Sequence, residues 1–164
     1  MDGVDILLVE DNRHDVELIL DAISGQHITD KVRVLRDGDE ALDYFFGPEG
    51  CLQSATVHLP KLILLDLKLP KVSGLEFLKH IRIDERTRHI PTVMFTSSNE
   101  MQDRIETYLL GVNSYIVKPL DADSFSRFVA DIMSYWVFMN RVIYENIDYK
   151  GEYSNFQDKS RIET

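Results

Sequence analysis

Leu62-Ile63-Leu64-Leu65-Asp66-Leu67-Lys68-Leu69-Pro70 is the stretch that decides the fold. Four apolar residues in a row, closed by a carboxylate and then by Leu-Pro, read as a short strand with a polar residue just past its carboxyl end. Three other runs share this form. Ile6-Leu7-Leu8-Val9 precedes Glu10-Asp11, Thr92-Val93-Met94-Phe95 precedes Thr96-Ser97, and Tyr115-Ile116-Val117 precedes Lys118-Pro119. An open α/β sheet places its ligand site outside the carboxyl ends of its strands. Three carboxylates, a hydroxyl and an ammonium therefore converge on one edge.

Working outward, the segments between these runs carry helical periods. Val16, Ile19, Leu20 and Ile23 recur at helical spacing after the first run. Lys31-Val32-Arg33-Val34-Leu35 alternates like an edge strand, and Asp37 then suits the N-cap of a helix bearing Ala41, Leu42, Phe45 and Phe46. Gly47-Pro48 stops that helix and opens a loop to Pro60, longer than the usual ~2–6 residues of such a connection. A third helix starts near Ser73, with Leu75, Leu78 and Ile81 inward. A fourth covers Met101 to Leu110 and ends at Gly111, and the last begins near Asp121. Five strands alternate with five helices. Right-handed crossovers then predict a flavodoxin-like, doubly wound (βα)5 fold with a five-stranded parallel sheet in the order 2-1-3-4-5.

The 164 residues suit one domain with a full core. We expect that domain over residues 1–139. Residues 140–164 are expected to form a tail extending the last helix, with no output domain. A net charge of -10 argues against nucleic acid and against an anionic membrane surface. The lone Cys51 excludes an internal disulfide, and the acidic start lacks the basic and apolar regions of a signal peptide. A cytoplasmic protein is the expectation.

Asp66, at the end of the central strand, can attack phosphorus and form an acyl phosphate, or it can cap the following turn. Glu10-Asp11 lies on the neighbouring strand. Three adjacent acids repel one another, and Mg²⁺ bound by a few carboxylates plus phosphate oxygens relieves that repulsion. Asp11 could equally cap the first helix. Thr96 and Lys118 lie on the far side of Asp66, where a hydroxyl and an ammonium neutralise phosphoryl oxygens. Pro119 offers a candidate cis peptide that would aim Lys118 inward. Tyr115 reads as packing, or as an aromatic that moves with Thr96. The five histidines show no metal-ligand spacing, and there is no Ser-His-Asp order, Walker loop or Gly-x-Gly-x-x-Gly.

Leu8-Val9-Glu10-Asp11-Asn12, Leu64 to Pro70 with Gly74, Thr96-Ser97 and Lys118-Pro119 stand in an order and spacing that closely resemble the receiver domain of two-component response regulators. The resemblance covers residues 5 to about 136. It implies that Asp66 accepts phosphate from a sensor histidine kinase. It also implies that Glu10, Asp11, Asp66 and the backbone carbonyl of Lys68 position Mg²⁺ (or Mn²⁺). Thr96 and Lys118 would contact the phosphoryl group, Tyr115 would be the coupled aromatic, and Lys68 and Ser98 would flank the path of attacking water. Ser73 departs from the acidic residue common before Gly74.

The long loop after Phe45-Phe46, the stretch Gly111 to Pro119 and Tyr135-Trp136 resemble the phytochrome-associated, stand-alone type. That type implies a phytochrome-like kinase and a homodimer through the fourth helix, fifth strand and fifth helix. A stripe from Phe125 to Ile143 leaves Trp136 and Met139 beyond the sheet, where a two-fold partner would cover them.

Three rivals are weaker. A dehalogenase-type phosphatase needs a second Asp where Lys68 stands, and Glu10-Asp11 would repel the phosphate of a flavodoxin-like cofactor. The intact acid-hydroxyl-lysine set speaks against a degenerate binding module. Passing phosphate on to a histidine phosphotransfer protein remains open.

Overall fold

A computed structural model describes residues 3–144. Five parallel strands, β1 (Ile6–Val9), β2 (Val32–Leu35), β3 (Leu62–Leu65), β4 (Thr92–Thr96) and β5 (Ser114–Val117), form one sheet in the order 2-1-3-4-5. Five helices alternate with them: α1 (Arg13–Ile23), α2 (Gly38–Phe46), α3 (Gly74–Ile83), α4 (Met101–Leu109) and α5 (Ala122–Met133). The expected fold and strand order hold.

Successive strand residues point to opposite faces, so each strand feeds two cores. Leu7, Val9, Ile63, Leu65 and Met94 pack with Ala41, Phe45, Phe77, Leu78 and Ile81 of α2 and α3. Ile6, Leu8, Leu62, Leu64, Val93 and Phe95 pack with Val16, Ile19 and Ile23 of α1 and with Phe125, Val129 and Ile132 of α5. Burial on both faces is why the central strands are apolar throughout rather than alternating.

The helix starts are local chemistry. Asp37 accepts from the Glu40 amide, and Asp121 accepts from the Ser124 amide. Ser73 forms a full capping box with Glu76, which gives the departure at this position its own structural use. Asn12, not Asp11, caps α1, its side chain accepting from the Asp15 amide. The alternative role for Asp11 is thereby removed. Gly111, at φ +88°, ends α4 in the left-handed region that a side chain resists. The long loop is ordered by a 3₁₀ turn at Cys51–Gln53 and by burial of Leu52 and Leu59.

The far end of α5 departs from expectation. A π-helical turn, Ser134–Met139, follows Met133 and rotates the side chains beyond it. Val137 becomes buried, Trp136 packs half-buried against the α1–α5 core, and Tyr135, Phe138 and Met139 are exposed. Trp136 therefore has cover from its own chain. The tail was expected to extend this helix, but the helix stops at Met139 and Asn140 is extended. Tyr144 instead turns back to the other core, its hydroxyl donating to the Pro60 carbonyl at 2.5 Å. Residues 145–164 of the expected tail lie outside the described residues.

Candidate functional site

Val9 pairs with Leu65, and Leu65 pairs with Met94, so the residues that follow β1, β3 and β4 emerge side by side. The Asp66 amide donates to the Val9 carbonyl at 3.0 Å, continuing the ladder one residue past each strand. Glu10 is 1% exposed and Asp66 9%, whereas Asp11 is open to solvent. Each of the three offers a carboxylate oxygen within 4.8 Å of the other two.

Such crowding has an electrostatic signature. Burial, with the neighbouring charge of Asp66 second, pushes the Glu10 carboxyl up to about 7, against the pull of Lys118 and the Asn12 amide. A hard divalent cation takes oxygen ligands and supplies the missing positive charge, so this donor set fits Mg²⁺ or Mn²⁺. Among the described residues no other group of three or more possible metal ligands is found.

Lys118 answers from β5. Its amide donates to the Thr96 carbonyl at 2.8 Å, and its side chain is only 7% exposed. The ammonium lies 2.6 Å from Glu10 Oε2, 2.8 Å from Asp15 Oδ2 and 3.4 Å from Asp66 Oδ2. Burial opposes its charge, but the charges of Asp66 and Glu10 outweigh burial and raise its pKa above the ordinary lysine value. These ion pairs aim Lys118 inward. The cis peptide expected at Pro119 is absent, as are cis bonds elsewhere among the described residues.

The backbone beneath Asp66 is equally constrained. Asp66 Oδ1 accepts from the Leu67 amide at 2.8 Å, and the Gly74 amide donates to the Leu67 carbonyl at 2.8 Å. A Cβ on Gly74 would lie 2.1 Å from the Asp66 carbonyl oxygen, so only glycine lets α3 start this close to the end of β3. Lys68 is exposed on the turn between them.

On the far side, Thr96 is buried at the end of β4, and its Oγ1 accepts from the Ser98 amide at 3.3 Å. Ser97 is exposed and lines a groove with Lys118 and Pro119. Ser98 is buried, and its hydroxyl donates to Asp103 of α4. The Tyr115 hydroxyl donates to the Ser98 carbonyl at 2.9 Å, and the Arg104 guanidinium sits 5.7 Å from its ring centroid. Tyr115 is thus tied to the β4–α4 connection rather than serving only as packing.

Residues 6–130 match the response regulator receiver domain family. The chain belongs to that family. As a receiver it is similar to the probable methanogenesis regulatory protein FilR2 of Methanothrix harundinacea, at 44% identity covering 83% of this chain and 85% of that protein. The response regulator Rcp1 of Synechocystis is 36% identical, covering 80% of this chain and 88% of its own length. Among solved structures, the phosphorylated cyanobacterial phytochrome response regulator RcpA superposes with a TM-score of 0.77 at 35% identity, covering 87% of this chain and 99% of RcpA. Response regulator Rcp1 has been solved in a Mn²⁺-bound form, with a TM-score of 0.74 at 34% identity over 84% of this chain and 96% of that one. Receivers bind Mg²⁺ or Mn²⁺ in an acidic pocket, and Glu10, Asp11 and Asp66 form such a pocket here. The family is one of signalling proteins in phosphorelays. No helix among the described residues is long and apolar enough to cross a membrane.

The sequence reading passed over Asp15 and Asp103. Asp15 stands on the first turn of α1, three residues after the Asn12 cap, close in sequence to Glu10 at the end of β1. That was the available signal.

Proposed function

We propose that Asp66 is the phosphoacceptor of this receiver and that a sensor histidine kinase is its donor. The observation that carries the proposal is the Lys118 ammonium, which reaches toward Asp66 from one side while the Glu10-Asp11-Asp66 cluster opens on the other. An Asp66 oxygen attacks phosphorus, the O–P bond forms, and the P–N bond of phosphohistidine breaks with its electron pair leaving on the imidazole. Glu10, Asp11, Asp66 and the Lys68 carbonyl would hold Mg²⁺ (or Mn²⁺), which would supply positive charge to the phosphoryl oxygens. Thr96 and Lys118 contact the remaining oxygens, with Ser97 and Pro119 shaping the approach. The chain catalyses only its own phosphorylation and dephosphorylation, by positioning and charge neutralisation.

The output is a change at α4 and β5. The Tyr115–Ser98 hydrogen bond and the Arg104 cation over the Tyr115 ring couple that surface to the loop that follows Thr96. Protein binding or dimerisation then reads it. Exposed Ile105 and Tyr108 on α4 and Phe128 on α5 support a homodimer through the α4, β5 and α5 region. Trp136 contributes less than its sequence position suggests. Likeness to RcpA makes a light-sensing kinase the first donor to try. Residues 1–139 act as the receiver unit, in the cytoplasm where such kinases present phosphohistidine.

Incubation with Mg²⁺ and acetyl phosphate, read by intact mass, tests the site. One phosphoryl adduct on wild type, absent from Asp66→Asn and absent with EDTA, is expected. An adduct of equal yield on Asp66→Asn would overturn the assignment. Sedimentation velocity with and without beryllofluoride tests the dimer, and a monomer at every concentration in both conditions would refute it.

A further inference from the structure

The Lys118 ammonium has three N–H donors, and three carboxylates surround it. Two of these belong to the phosphoryl-transfer site. The third, Asp15, does not share the Glu10-Asp11-Asp66 cluster, yet it sits at 2.8 Å, closer than Asp66 at 3.4 Å. Its own placement is determined locally. The Asp15 amide donates to Asn12 Oδ1 at 3.0 Å, so the helix cap that starts α1 also holds the first turn from which this carboxylate extends. Its side chain is 20% exposed, at the edge of a groove of about 240 Å³ shared with His14, Leu18, Ser97 and Pro119. A carboxylate so placed has little packing to perform and one strong partner, 103 residues away in the chain.

We propose that Asp15 is a positioning residue for phosphoryl transfer, acting through Lys118. This rests on Asp66 being the phosphoacceptor. In the unphosphorylated protein Asp15 and Glu10 draw the ammonium to the α1 side, leaving the attacking oxygen of Asp66 less tightly ion-paired. Once Glu10 turns to the cation and Asp66 carries phosphate, Asp15 is the carboxylate that keeps Lys118 in register and tempers its charge. Removing the negative charge lets Lys118 close on Asp66 before transfer and on the phosphoryl group after it. Both the forward step and hydrolysis then slow.

The test compares wild type, Asp15→Asn and Asp15→Glu with Mg²⁺ and acetyl phosphate, reading adduct formation and decay by intact mass. Asp15→Asn is expected to lower the rate at saturating donor about fivefold and to lengthen the adduct half-life about threefold, a modest misplacement beside the largest such effects. The donor concentration for half-maximal rate and the Mg²⁺ affinity by calorimetry should stay within about twofold of wild type. Asp15→Glu, which keeps the charge, should recover most of the rate. Wild-type rates in Asp15→Asn would overturn the inference. So would an Asp15→Glu as slow as Asp15→Asn, or a parallel loss of Mg²⁺ affinity. Failure of wild type itself to form an adduct would instead overturn the Asp66 reading, and this inference with it.

Discussion

α5 and α4 flank the same edge of the sheet but are held very differently. α5 buries Phe125, Val129, Ile132 and Met133, and packs along α1. α4 buries only Thr107 and leaves Met101, Ile105, Tyr108 and Leu109 exposed. Its side-chain hydrogen bonds and cation contact to the rest sit at its start: Ser98 to Asp103, Asn99 to Arg104, and Arg104 over Tyr115. Segments with few buried apolar contacts open at low free energy, and moving elements are drawn from that end of the range. Under the proposed function, α5 would anchor the site and α4 would report its state. Moving α4 would break a few hydrogen bonds, whereas moving α5 would break a core.

Truncation is the strongest way to break this contrast. Phe125→Ala removes a buried ring that packs 5.1 Å from Phe95, and should cost about 3–5 kcal/mol in urea unfolding. Ile105→Ala on α4 should stay within about 0.5 kcal/mol. Comparable losses at both positions would abolish the distinction. Gly74→Ala probes the rigid side directly beneath Asp66. The added Cβ meets the Asp66 carbonyl, so a loss of about 1–3 kcal/mol is expected together with slower adduct formation from acetyl phosphate. Unchanged stability and rate would show that α3 can retreat without disturbing Asp66.

The smallest effect sharpens the role of local caps. The Glu40 amide, and then Lys71, hold the Asp37 carboxyl below its usual range. A carboxyl lowered by folding stabilises above its unfolded value and loses that contribution as pH falls through its folded value. Asp37→Ala should therefore cost about 1 kcal/mol at neutral pH, and the gap to wild type should narrow below about pH 4. Chemical denaturation across pH checks this, and a gap that widens on acidification would contradict it.

The comparison also separates what could be read in advance. Glu10, Asp11, Asp66, Thr96 and Lys118 were legible because each follows an apolar run, and a parallel sheet brings all such positions to one edge. The cap at Asp37 and the helix starts near Ser73 and Asp121 were legible because such signals are written within four residues. Asp15 was legible only as an acid in the first turn of α1, since its partner, Lys118, stands 103 residues away in the chain. Trp136 was misplaced because a π turn changes which residue faces the core, and helical spacing carries no mark of that turn. A cis peptide at Pro119 was a candidate for aiming Lys118 inward, but the bond is trans and three carboxylates aim the lysine instead.

By itself, then, the sequence determined the element order, the strand ends and the chemistry available at the sheet edge. Those follow from hydrophobic period and from polar residues at fixed offsets, both of which are local. Only the tertiary structure decided which carboxylates share Lys118, how Tyr115 is tied to the Ser98 carbonyl, and which helix is anchored and which is loose. Those depend on distances between residues far apart in the chain, and only the packed sheet and its two cores set those distances.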